Sequence, residues 1–148
     1  MKLDSILSAN RVTTDVAVTS KKQALEKISS LLATADNAPA ADEILGSLAG
    51  REKLGSTGLG HGVAIPHGRV AGIHDSVAAF VRLRHAVEYD SHDSEPVDLI
   101  FGLLVPDNST GEHLKHLATV AEKFSDESFC AKVRDSADAA QLFTLLTA

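Results

Sequence analysis

Two runs near the middle of the chain limit its architecture more than any other feature. Val77-Ala78-Ala79-Phe80-Val81-Arg82-Leu83 and Val97-Asp98-Leu99-Ile100-Phe101-Gly102-Leu103-Leu104-Val105 are rich in β-branched and aromatic residues and mostly apolar at consecutive positions. A strand with one wet face alternates apolar and polar residues, whereas a strand apolar on both sides needs cover on both. The flanking sequence supplies helices for that cover. Ser20-Lys21-Lys22-Gln23 has the form of a capping box and opens a stretch with Leu25, Ile28 and Leu32 at helical spacing, so a helix is predicted over about residues 20 to 35. Asp36-Asn37-Ala38-Pro39 reads as a turn into a second helix over about 40 to 53, with Ile44, Leu45 and Leu48 inward and Gly55 placed to stop it.

After the two strands the pattern returns to helix. Ser109-Thr110-Gly111-Glu112 is another capping box, followed by Leu114, Leu117, Ala121 and Phe124. Phe129, Cys130 and Val133, then Leu142, Phe143 and Leu146, mark two shorter closing helices. Shorter strands are predicted at Thr14–Val18 and Gly62–Ile65. Helices, then strands, then helices, without strict β-α-β alternation, predict one α/β domain over residues 1–148 with a central mixed β-sheet flanked by helices.

Composition removes several classes of function. A formal net charge of -6, with no basic run longer than Lys21-Lys22, argues against a nucleic-acid surface. The single cysteine, Cys130, excludes an internal disulfide and fits a reducing compartment. No segment approaches the ~20 apolar residues of a membrane span and none resembles a leader, so a cytoplasmic protein without membrane insertion is expected.

Seven histidines stand at 61, 67, 74, 85, 92, 113 and 116, and histidine is the side chain that titrates near neutrality unperturbed. His85 and His92 fall in the polar stretch between the long strands, and His74 in a turn. The remaining four could suggest a metal site, with His113 and His116 on one helical face. Neither H-E-x-x-H nor a paired-cysteine spacing accompanies them, and no metal is expected. A serine or cysteine hydrolase lacks G-x-S-x-G, and Cys130 sits at core spacing. Gly55, Gly58, Gly60 and Gly62 match no nucleotide-binding pattern. Those glycines permit positive φ in a tight connection, or offer backbone amides to an oxyanion or phosphoryl group.

Histidine can also be the nucleophile, carrying a phosphoryl group as a covalent intermediate. That role needs a neutral ring nitrogen, a fixed ring, an open approach and donor groups for the phosphoryl oxygens. In Gly62-Val63-Ala64-Ile65-Pro66-His67-Gly68, Pro66 pins its own φ and pushes Ile65 into the extended region, and Gly68 removes bulk just after His67. Arg51 and Arg69, with the hydroxyls of Ser56 and Thr57, are candidates to meet the phosphoryl oxygens. His113 stands in the first turn of a helix, where an anion is favoured. On the residues alone, His67 as an ordinary turn residue remains the alternative.

The run "REKLGSTGLGHGVAIPHGRV", followed some forty residues later by "LLVPDNSTGEHLKHLATVAEKF", resembles the enzyme IIA proteins of the bacterial phosphoenolpyruvate phosphotransferase system. The class is the mannitol/fructose-like one, with the nitrogen-regulatory branch as the nearer match over about residues 5 to 145. The resemblance implies a phosphohistidine at His67, formed by an HPr-type phosphocarrier as donor. It implies a second active-site histidine at His113 and an arginine at Arg51 that neutralises the phosphoryl group. No cofactor is expected, because the donor is already a phosphoprotein. The implied function is regulation of partners, such as potassium transport or sensor proteins, through phosphorylation state. The alternative is a sugar-specific component passing phosphate to a cysteine-bearing IIB subunit.

Overall fold

The computed structural model describes residues 3–109 and 111–148, apart from the side chains of Glu112 and His113. In chain order, a 3-10 turn at Ala9–Arg11 leads into β1 (Val12–Val16), α1 (Lys21–Leu32) and α2 (Ala41–Glu52). Then come β2 (Gly58–Gly60), β3 (Val63–Ala64), β4 (His67–Val70), β5 (Val77–Val87) and β6 (Val97–Pro106). The chain closes with α3 (Gly111–Phe124), α4 (Glu127–Asp135) and α5 (Ala139–Thr147). Among the described residues the six strands form one mixed sheet and the five α-helices flank it, as the apolar runs predicted.

The two long runs lie at the centre as the antiparallel pair β5–β6, with Phe80 opposite Phe101. β1 adds to β5 in parallel, and β3 and β4 add to the other edge of β6, also in parallel. Alternate residues feed two cores. Phe80, Leu99, Phe101 and Leu103 pack with Val120 and Phe124 of α3, Cys130 and Val133 of α4, and Leu142 and Leu146 of α5. Ala79, Val81, Ile100 and Leu104 pack with Leu25, Ile28 and Leu32 of α1 and with Ile44 and Leu48 of α2. Gly102 lets α1 approach the sheet: a Cβ there would lie 2.5 Å from Ile28 Cγ1.

The Ser20 cap forms as predicted, its hydroxyl accepting from the Gln23 N–H, although Gln23 reaches back to the Thr19 N–H rather than to that of Ser20. β1 starts two residues before its predicted position and ends at Val16, and within it Asp15 adopts φ 57° where the β1–β5 register shifts. β5 runs on to Val87, so His85 is an exposed strand residue rather than a loop residue. Among the described residues no helix is long and apolar enough to cross a membrane.

Candidate functional site

The sheet edge explains where His67 points. β3 and β4 lie along β6 in one continuous register, Val63 opposite Leu99 and His67 opposite Leu103. Pro66 interrupts the ladder because it has no N–H to give, yet its carbonyl still accepts from the Leu103 N–H at 3.0 Å. His67 is therefore the first residue of a strand, not a turn residue. Strand alternation puts His67 and Arg69 on the α3 face with Leu103 and Val105, and Gly68 on the α2 face. A Cβ on Gly68 would lie 2.2 Å from Ser47 Oγ and 3.2 Å from Ser47 backbone, so close packing on α2 requires this glycine. Clearance for an approaching protein is not what its position reflects, although Gly68 does line the cleft beside His67.

The His67 ring is half-buried, with Nδ1 3.0 Å from the Ile65 carbonyl oxygen. A carbonyl only accepts, so this contact assigns the proton to Nδ1 and leaves the lone pair on Nε2. Two adjoining clefts meet at this ring. One, of about 410 Å³, is bordered by Ser47, Arg51, Leu54, Arg69, Leu114 and Leu117. The other, of about 280 Å³, is bordered by Arg51, Ser56, Thr57, Ile65, Leu117 and Ala121. Arg51 and His67 line both.

The arginines are lightly held. Arg51, in the last turn of α2, donates from Nη1 to the Gly55 carbonyl at 2.9 Å, and Arg69 donates from Nη1 to Ser109 Oγ at 3.1 Å. Among the described residues neither is paired with a carboxylate. Among the described residues the exposed large apolar side chains, Leu54 at 84%, Leu114 at 47% and Leu59 at 36%, all border these two clefts.

Ser56 and Thr57 line the smaller cleft, but their hydroxyls are engaged elsewhere. Ser56 Oγ donates to the Tyr89 carbonyl at 3.0 Å and accepts from the Gly58 N–H. Thr57 Oγ1 donates to Glu52 Oε2, and the Thr57 N–H donates to Glu52 Oε1 at 3.1 Å. Glu52 is nearly buried and takes Lys21 Nζ at 3.1 Å, while that ammonium also sits 4.5 Å above the Tyr89 ring. Burial first, and the Glu52 charge second, push the Tyr89 phenol well above the ordinary tyrosine range.

Sequence reasoning brought together His67, Gly68, Arg69, Arg51, Ser56 and Thr57, and the structure sets all six around the adjoining clefts. His113 lies on α3, but its side chain is outside the described residues. Glu52, Lys21 and Tyr89 were missed. One signal was available: Glu52 is an acid at the carboxyl end of a helix, where the dipole disfavours it, so a specific partner was needed to hold it there.

A third cleft, larger at about 700 Å³, opens beyond the carboxyl end of α3. Its lining includes His61, Asp93, Glu95, Asp98, Glu127 and Arg134. Among the described residues no group of three or more His, Cys, Asp or Glu side chains is placed to hold a metal ion.

The mixed sheet between two helical layers, with a histidine at its edge, is the setting in which the comparisons with known proteins place this chain. The chain belongs to the family described as "Phosphoenolpyruvate-dependent sugar phosphotransferase system, EIIA 2", whose model matches residues 5–148. Within that class it is similar to the nitrogen regulatory protein of Pseudomonas aeruginosa, 38% identical over 146 residues that cover 99% of this chain and 95% of that one. The crystal structure of the nitrogen regulatory protein IIA-Ntr from Neisseria meningitidis superposes with a TM-score of 0.90 at 43% identity, covering 97% of each chain. The mannitol enzyme IIA of Escherichia coli, solved in complex with its phosphorylated enzyme IIB, shares the fold at a TM-score of 0.78 and 18% identity, covering 95% of this chain and 98% of that one. The protein is thus a IIA-type component of the phosphotransferase system, similar over its length to nitrogen regulatory members.

Proposed function

We propose that this protein is a cytoplasmic phosphohistidine carrier of the nitrogen-type phosphotransferase system. In this reading, His67 takes a phosphoryl group from an HPr-type carrier, and the phosphorylation state regulates partner proteins such as potassium transport or sensor components. The observation that carries the reading is the contact of His67 Nδ1 with the Ile65 carbonyl, which reserves Nε2 for the nucleophile. The Nε2 lone pair attacks phosphorus in line as the phosphorus–nitrogen bond of the donor phosphohistidine breaks. The donor's imidazole leaves with that bonding pair. His67 becomes a phosphorylated imidazolium whose Nδ1–H stays on the Ile65 carbonyl. Catalysis of this transfer is mostly positioning and charge compensation, which Arg51 and Arg69 supply from the rim. Gly68, Ser56 and Thr57 shape the walls. The exposed Leu54, Leu59 and Leu114 offer apolar contact for a brief, small interface.

His113, in the first turn of α3, completes the set as the second active-site histidine. The same rim would serve a IIB subunit in the sugar-transport alternative, a reading supported by the mannitol enzyme of like fold that was solved with its phosphorylated IIB.

The test is incubation with phosphoenolpyruvate, enzyme I and an HPr-type carrier, followed by mass measurement of acid-labile phosphate. One phosphoryl group per chain is expected on the native protein and none on His67→Ala; full labelling of that variant would overturn the assignment. His113→Ala should keep the site but slow its filling by about a hundredfold, a loss in the range of one mispositioned catalytic contact.

A further inference from the structure

Behind the histidine lies a buried polar cluster that the transfer chemistry does not itself use. The Glu52 side chain is 5% exposed and receives three donors at once: Lys21 Nζ, the Thr57 N–H and the Thr57 hydroxyl. A buried carboxylate is held only when such partners are supplied, and each donor is lost if the acceptor goes. The consequence for His67 follows through the main chain. The Thr57 carbonyl accepts from the Ile65 N–H at 3.1 Å, and the carbonyl of that same Ile65 faces His67 Nδ1 at 3.0 Å. Three consecutive contacts therefore run from the carboxylate to the imidazole: Glu52 to Thr57, Thr57 to Ile65, Ile65 to His67.

We infer that Glu52 is a positioning residue for His67, fixing the Thr57–Ile65 pairing and thereby holding the histidine as its Nδ1–H tautomer. The Ile65 peptide has a second anchor beyond it, the bond from the Leu103 N–H to the Pro66 carbonyl, which fixes height along β6. Rotation of the Ile65 carbonyl about that anchor is what the Thr57 bond restrains. Lys21 neutralises the carboxylate while its ammonium sits over the Tyr89 ring. The arrangement also explains an acid at the carboxyl end of α2, next to the arginine that lines both clefts.

Two variants test this. Replacing both ions with apolar side chains of similar volume, Lys21→Met with Glu52→Met, removes the pair without leaving a buried charge alone. Glu52→Gln keeps one acceptor oxygen and should fall between that variant and the native protein. The first readout is the His67 tautomer by two-bond nitrogen–proton NMR, which needs no donor protein. The native chain should be almost wholly Nδ1–H, and the double variant should lose that preference, with Glu52→Gln intermediate. The second readout rests on His67 being the phosphoryl acceptor: uptake at saturating phosphorylated carrier should fall by about tenfold to hundredfold, with KM changed less than about twofold.

A folded variant that keeps the native tautomer, or one that slows uptake without shifting it, overturns the inference. If the double variant fails to fold, Glu52→Gln alone decides by the same criterion. Because the tautomer is read without phosphorylation, failure of the acceptor assignment and failure of this inference give different results.

Discussion

The two ends of α3 border clefts of opposite character. At its carboxyl end the larger cleft carries Asp93, Glu95, Asp98 and Glu127, and its arginine is paired with a carboxylate. Arg134 donates from Nη2 to Asp98 at 2.8 Å and to the His61 carbonyl at 2.8 Å, and from Nε to Asp98 again, which pushes its guanidinium pKa further up. Asp93 accepts from the His61 and Glu95 N–H groups, which hold its carboxyl below the ordinary range. At the amino end the clefts are smaller; among the described residues their arginines hold a carbonyl and a hydroxyl, and the His67 ring meets the Ile65 carbonyl through Nδ1. Asp98 and Asp93, bound to an arginine and to backbone N–H groups, brace their cleft, whereas arginines with no carboxylate partner among the described residues suit an anionic guest. Size does not separate the two; the bookkeeping of partners does.

The comparison breaks or sharpens under substitution, beginning with the largest effect. Arg51→Ala should slow phosphoryl uptake by about a hundredfold, the usual loss when one preorganised donor to a developing charge is removed. Stopped-flow or quench-flow labelling measures it, and an unchanged rate would place the cation elsewhere. Arg134→Ala is the counterpart at the other end. It should leave uptake within about twofold while lowering stability by about 1 kcal/mol, because partly exposed charged hydrogen bonds contribute modestly; denaturant unfolding reads this.

The smallest effect is a pH dependence. Burial keeps the Tyr89 phenol protonated in the fold above its ordinary pKa of about 10. Above that pH the unfolded chain binds fewer protons than the native one, so stability falls as pH rises. Tyr89→Phe should flatten this alkaline limb relative to the native protein, as followed by thermal unfolding between neutral and strongly alkaline pH.

Much of the architecture was legible because it rests on strong periodic signals. The apolar runs of β5 and β6 needed cover on both faces, and Ile44 with Leu48, or Leu142 with Leu146, supplied it from helices of about the predicted length. His67-Gly68-Arg69-Val70 was not legible as a strand. Four residues that include a glycine and an arginine have little strand preference of their own, and the pairing comes from the free edge of β6. The residues of the site were identified by type, but their bonds were not. Nothing local in Ser56-Thr57 says that one hydroxyl goes to the Tyr89 carbonyl, 33 positions away, and the other to Glu52. The sequence also suggested an accessibility role for Gly68, where the decisive neighbour is Ser47 on a helix that folds back over it.

The single register that β3 and β4 keep along β6 on either side of Pro66 makes the site intolerant of frame errors. Sliding this edge by one residue along β6 would turn His67 toward α2, into the place where even a methyl group meets Ser47, and would send Arg69 with it. Adding or deleting a single residue between Gly62 and Pro66 should therefore silence the histidine altogether, even though every side chain around it is still encoded.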